Sequence, residues 1–200
     1  MKKGITLVEL LVALAIFSLI IVAVGTLGAN IFKYNSEISG SYETARTSQV
    51  ILKTLLKELR ESAPGANGAY PLALTGSTTL SFYSDTDNDG KTEKITYSLI
   101  GTTLYRTSII PTGTTSFVYL PQNQSTTTLI TNVINGVSLP SFQYFDTHYT
   151  GTSSPMIHPV NPSLVRLIKV NQQIDIDPNR SPIPIVFSIQ VSLRNIKTNL

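Results

Sequence analysis

A run of apolar residues from position 10 to position 27, unbroken by any charge, constrains this chain more than any other feature. It is about as long as the ~20 residues a helix needs to cross a bilayer. Lys2 and Lys3 precede it, which the positive-inside rule reads as a start held on the cytoplasmic side. At the head of the same apolar stretch lies one acid, Glu9, five residues past Gly4. A carboxylate in a bilayer-length segment is costly, so it points to a partner and a function. An ordinary secretory signal has a shorter apolar core followed by a small-residue cleavage site. Ala13, Ala15 and Ala23 are present here, but no polar region with an A-x-A signal follows. A plain N-terminal anchor accounts for the two lysines and leaves Glu9 and Gly4 unexplained.

The rest of the 200 residues has room for one modest domain. Cysteine is absent, which removes a disulfide framework, a thiolate metal site and a cysteine nucleophile. The net charge is +3; setting aside Lys2, Lys3, Lys33 and Glu9 leaves twelve basic residues against eleven acidic ones. No block of like charge marks a nucleic-acid surface, so nucleic acid is not an expected partner.

Beyond the apolar run, Ile38, Tyr42, Ala45, Gln49, Leu52, Leu56 and Leu59 recur four and three apart, with Ile51 and Leu55 widening the stripe. Glu37, Glu43, Arg46, Lys53, Lys57, Glu58, Arg60 and Glu61 fall mostly off it. Pro64 and Gly65 end the pattern, and no proline interrupts residues 5–62. The spacing predicts one continuous helix about 85 Å long, its first half in lipid and its second half laid on a domain core. From Tyr70 the period changes to two. Residues 79–84 and 93–99 read as a hairpin joined by a turn over 85–90, and residues 103–107 as the next strand. Residues 111–128 read as a polar loop with a short strand at 116–120, and 129–137 as a mixed segment. Strands are expected at 142–146, 164–170 and 185–193, with an exposed loop at 148–162 that holds Pro155, Pro159 and Pro162. The expected fold class is α+β, a long N-terminal helix packed on a mainly antiparallel sheet.

The order K-K-G followed by I-T-L-V-E-L-L-V-A-L resembles the class III signal of type IV pilin-like proteins. The resemblance implies that a prepilin peptidase cuts between Gly4 and Ile5 and methylates the new N-terminus at Ile5. Glu9 then becomes the fifth residue of the mature chain. There it can neutralise a neighbouring subunit's terminal amine inside the apolar core of a filament and so fix axial register. The alternative is a Glu9 near the headgroups with no partner. The expected organisation is a leader at 1–4, a transmembrane and filament-core helix at 5–30, its amphipathic continuation at 31–62, and a β-rich domain at 63–200. The order of elements more loosely resembles minor pilins and J-type minor pseudopilins, through F-Q-Y-F-D at 142–146 and V-R-L-I-K-V at 165–170.

Asp85, Asp87 and Asp89 alternate with Thr86 and Asn88, Gly90 is sixth, and Glu93 is ninth. This is how an EF-hand calcium loop opens. The twelfth position is Thr96 where that loop needs a bidentate glutamate, and no helices flank the turn. The segment is therefore not an EF-hand. It is either a hairpin turn that holds one calcium ion on Asp85, Asp87, Asp89 and Glu93, or a solvated turn built from ordinary turn residues. His148 and His158 read as exposed loop histidines, and Asp175, Asp177 and Asn179, beside Pro178 and Arg180, as a turn. Tyrosine and phenylalanine at strand spacing read as sheet residues.

No nucleophile motif, phosphate loop or catalytic carboxylate pair is present, so the expected role is structural and not enzymatic, with no required cofactor. The resemblance implies a subunit held in the cytoplasmic membrane with its domain outside. Its partners would be other pilin or pseudopilin subunits, the prepilin peptidase and the inner-membrane assembly platform. Glu9 argues against the minor subunit type that lacks this acid, and the length favours a low-copy role. The alternative is a DNA-uptake pseudopilin or adhesin-like binding module, for which Arg166, Lys169, Arg180, Arg194 and Lys197 are the basic candidates.

Overall fold

The computed structural model describes residue 4 and residues 6–175 and 184–193, the side chains of 36–41 excepted. Lys2, Lys3, Ile5, Asp177, Pro178, Asn179, Arg180, Arg194 and Lys197, and the side chains of Glu37 and Ile38, therefore lie outside the described residues. Helix α1 runs Leu7–Arg60 without a break, as the absence of proline predicts. The chain divides into two compact units, the first ending at Thr44 and the second beginning at Ala45.

In the first unit the apolar segment extends over Leu7–Asn35, 29 residues with the length and composition to cross a membrane. Its large side chains are exposed on every face, for example Phe17 at 60% and Leu19 at 70%. The few hydroxyls in this stretch turn back on the helix. Ser18 donates to the Ala15 carbonyl at 2.8 Å and Thr26 to the Ala23 carbonyl at 2.9 Å. Lipid offers no hydrogen-bond partners, so such internal pairing is what a spanning helix needs.

In the second unit the end of α1 buries Ser48, Leu52, Leu55 and Leu59, a stripe with spacing four, three, four. This corrects the stripe expected from sequence: Tyr42 and Gln49 are exposed, and Leu56 and Ile51 are only partly buried. The buried face centres on Leu55 and takes in Ser48 and Glu58, while apolar Ile51 and Leu56 lie at its margins.

Among the described residues eight strands follow, in two antiparallel sheets. The first is a meander of β1 Leu72–Thr75, β2 Thr79–Ser84, β3 Glu93–Ile100, β4 Thr103–Ile109 and β5 Gln124–Ile130, in that order. The second has the order β6 Phe142–Phe145, β7 Leu167–Ile174, β8 Ile185–Ser192. Leu52, Leu55 and Leu59 share one core with Phe82, Tyr97, Phe142, Tyr144, Ile168 and Val191, so both sheets close on the helix end. Of the aromatic residues at strand spacing, Phe82, Tyr97, Phe142 and Tyr144 are core residues, whereas Tyr105 and Phe187 are only partly buried.

Three sequence expectations are corrected here. Residues 124–128, read as loop, form most of β5, and 116–120 is not a strand but carries one isolated bridge between Thr112 and Val118. The strand expected at 164–170 starts later, after the short 3-10 turn Pro162–Leu164, and continues to Ile174.

Candidate functional site

At the N-terminus, Thr6 and Glu9 form a reciprocal cap on α1. The Thr6 N–H and hydroxyl both donate to Glu9 Oε2 at 3.0 Å, and the Glu9 N–H donates to Thr6 Oγ1 at 3.3 Å. Two otherwise orphaned donors of the first turn are thus satisfied, and the carboxylate sits against the positive end of the helix dipole. Sequence reasoning missed this arrangement, although T-x-x-E ahead of an apolar run is its signature. Among the described residues both bonds to the carboxylate fall on Oε2, and Oε1 accepts none. Gly4 is exposed, with open space where a Cβ would stand.

The second candidate is the turn between β2 and β3. Ligand oxygens of Asp85, Asp87, Asp89 and Glu93 lie within 4.8 Å of one another, so the structure brings all four predicted residues together. The turn geometry explains why. Asn88 and Gly90 take positive φ, 61° and 86°, which curls the segment so that its side chains point inward. The backbone already relieves part of the charge repulsion. Gly90 N–H donates to Asp85 Oδ2 at 3.0 Å, Asp89 N–H to Asp87 Oδ1 at 3.2 Å, and Lys91 N–H to Asp89 Oδ1 at 2.8 Å. Glu93, only 3% exposed, is held through Oε2 by the Thr86 N–H and hydroxyl, both at 2.8 Å. Asp85 Oδ1 is buried and has no hydrogen-bond partner among the described residues. Lys91 reaches Asp89 at 3.8 Å on the exposed side, a contact of small energetic consequence. The set can offer several oxygens at the flexible spacing calcium accepts.

A buried charge also escaped the sequence reading. The sequence pattern sets Glu58 off the apolar stripe, yet it is 7% exposed and faces the first sheet. Arg106 on β4 donates to Glu58 Oε1 through Nη2 at 2.7 Å and through Nε at 3.1 Å, and the Tyr97 hydroxyl donates to Oε2 at 2.7 Å. The clue was spacing: Glu58 stands three residues after Leu55 and beside Leu59, hence on the buried face. Burial, and next the Glu58 charge, push the Tyr97 hydroxyl well above its ordinary value. For Arg106, burial opposes the charge, but the bonds and attraction of Glu58 prevail and raise it. The network joins helix to sheet and is structural.

His148 is exposed in its loop, 3.3 Å from Asp146, whose carboxyl is lowered chiefly by the His148 N–H. His158 is also exposed and sets its ring edge-on to Tyr144. Of the basic candidates for a nucleic-acid strip, Arg166 turns inward to the Ser163 and Val165 carbonyls at 2.9 and 3.0 Å.

Residues 1–25 match the family model described as the prokaryotic N-terminal methylation motif. No curated protein matches the chain. Together with the apolar helix that starts at Leu7, the matched motif fits a type IV pilin-like protein with a class III signal.

Proposed function

We propose that this chain is a minor pilin or pseudopilin, a structural subunit of a type IV pilus or a type II secretion-like filament. One observation carries the reading: a methylation motif over residues 1–25 continues directly into a membrane-length apolar helix. Residues 1–4 are the leader, 5–30 the membrane and filament-core helix, 31–62 its amphipathic continuation, and 63–200 the partner-facing domain. A prepilin peptidase cuts between Gly4 and Ile5 and methylates Ile5. The subunit waits in the cytoplasmic membrane with its domain outside, and the assembly platform draws it into the filament among other subunits. The Thr6 cap holds Glu9 Oε2 while Oε1 stays available, so one carboxylate can finish its own helix and receive a neighbour's amine.

The test is Glu9→Val. The substitution makes membrane insertion easier and removes the acid from assembly, so cleavage continues while co-purification with other filament subunits falls. Wild-type incorporation of the variant would deny Glu9 an assembly role.

In the same reading, the turn of Asp85, Asp87, Asp89 and Glu93 binds one calcium ion. With a dissociation constant near the weak extracellular range of ~10⁻⁴ M, ten-fold excess calcium stabilises the domain by about 1.4 kcal/mol. Thermal unfolding of the full chain in detergent, with calcium and with chelator, reads this. Asp87→Asn removes most of the shift. An unchanged midpoint at millimolar calcium would leave a solvated turn.

A further inference from the structure

Three segments of the second unit line a cavity of about 410 Å³: the β1–β2 turn with Ser77 and Thr78, the stretch from Asn135 to Ser141, and the loop that carries His158. That volume falls in the ~300–1,000 Å³ range of small-molecule sites. Each wall is fastened to β6 or β7. The Ser77 carbonyl accepts from the Phe142 N–H at 3.0 Å, and the Tyr144 hydroxyl donates to the Gly76 carbonyl at 2.8 Å. Asn135 donates to the Leu139 and Asn171 carbonyls and accepts from the Gln173 N–H at 2.9 Å, which ties the second wall to β7. The His158 ring stands edge-on to buried Tyr144, with 5.6 Å between centroids. The cavity is therefore preformed by bonds the domain makes for itself.

Its polar side chains, Asn135 apart, are spare. Ser141 is fully buried in the wall, and its hydroxyl has no hydrogen-bond partner among the described residues. Such an orphan costs stability, and a bound ligand would relieve it. The hydroxyls of Ser77 and Thr78 and the ring nitrogens of His158 likewise make no hydrogen bond among the described residues.

The lining also narrows the ligand. It holds no Asp, Glu, Lys or Arg, so a phosphate, carboxylate or ammonium group finds no opposite charge. An extended peptide finds no strand edge to join. The outer edge of β6 is already spent on the Ser77 carbonyl and on the Met156 N–H, which donates to the Tyr144 carbonyl at 2.8 Å. A hydroxyl both donates and accepts, so three of them suit a ligand whose own hydroxyls do the same. The remaining wall is mostly apolar, with Val137 and Pro140 lining the same space as the His158 ring, and suits a face of C–H groups. A sugar ring offers both surfaces. We propose that this cavity binds a neutral saccharide. The site lies wholly in the second unit, so it stands apart from the filament reading.

The test uses the full chain in a detergent without a sugar headgroup, since a maltoside would compete. Saturation-transfer NMR compares glucose, galactose, N-acetylglucosamine and N-acetylgalactosamine with glucosamine, glucuronate and an acetylated, amidated tripeptide. At least one neutral sugar should bind saturably, with the charged sugars and the tripeptide at least about five-fold weaker. Ser141→Ala should weaken that sugar about ten-fold, the loss of one hydrogen bond. Its unfolding midpoint should stay at or above the parent's, because the orphaned hydroxyl is gone. A Cβ at Gly136 meets no atom, so Gly136→Phe adds bulk to the wall without straining the fold and should abolish binding. Failure of every neutral sugar to bind, preference for a charged sugar or the tripeptide, or unchanged binding in either variant would overturn the proposal.

Discussion

The two stretches of α1 are built for different surroundings. Between positions 7 and 27 the large apolar side chains are 52–75% exposed all round the helix. From Ser48 onward one face alone is buried, and Leu55 and Leu59 are fully enclosed. A helix that is apolar on every side belongs in lipid or a helical bundle, while a striped one belongs on a core. Each stretch also carries an acid, and the two are satisfied differently. Glu9 is held by Thr6, three residues away, within its own first turn. Glu58 is held by Tyr97 and Arg106, from strands far along the chain. The first arrangement survives transfer between environments because it needs no distant partner. The second exists only when the domain is folded.

The sharpest way to break this contrast is a pair of truncations. Leu55→Ala should destabilise the β-rich unit by about 2–5 kcal/mol, the usual cost of a core cavity. Leu19→Ala should leave its unfolding within about 0.5 kcal/mol of the parent. Denaturant unfolding of the full chain in detergent, followed by near-ultraviolet circular dichroism of the tyrosines, compares them. Equal effects would mean the two stretches do not differ as described.

A smaller loss, about 2–3 kcal/mol, is expected for Arg106→Ala, which strands the Glu58 carboxylate in the core. The partial exposure of the Arg106 side chain, 22%, keeps the effect at the low end for buried pairs. Arg106→Lys should recover part of it. An Arg106→Ala chain as stable as the parent would show that the network does not fasten the helix.

The mildest effect concerns pH. The folded state holds the Tyr97 hydroxyl protonated above the ordinary value of 10.0, through burial first and the Glu58 charge second. A folded pKa raised above the unfolded one means that the folded state binds more protons in that interval. Stability is therefore full below about pH 10 and falls as pH rises beyond it. Tyr97→Phe should flatten that alkaline slope, which unfolding midpoints at stepped pH would detect. Tyr144, raised by burial alone, should leave a residual slope.

The legible parts of the fold were those with strong periodicity. The unbroken helix, the hairpin flanking Asp85–Gly90 and the last strand follow from patterns of apolar residues and turn residues. β5 was hidden because a strand exposed on both faces shows no alternation, and only the β-propensity of its threonines hinted at it. β1 is too short to register. The calcium candidates were legible as a cluster, since alternating acids closed by a glycine curl together locally. A charged residue such as Glu58 suggests surface, whereas its place beside Leu55 and Leu59 puts it on the buried face. The Thr6–Glu9 cap has a local signature, T-x-x-E, but the acid's cost in lipid is the stronger signal at the same position.

The central claim is that this helix begins as a class III signal and is processed as one. Intact-mass and N-terminal peptide mass spectrometry of the protein, from cells with and without a prepilin peptidase, tests it most directly. The account predicts a chain lacking residues 1–4 and carrying one methyl group on Ile5 when the peptidase is present, and an uncut chain for Gly4→Val. Retention of Lys2, Lys3 and Gly4 by the parent protein in the presence of an active peptidase would contradict it.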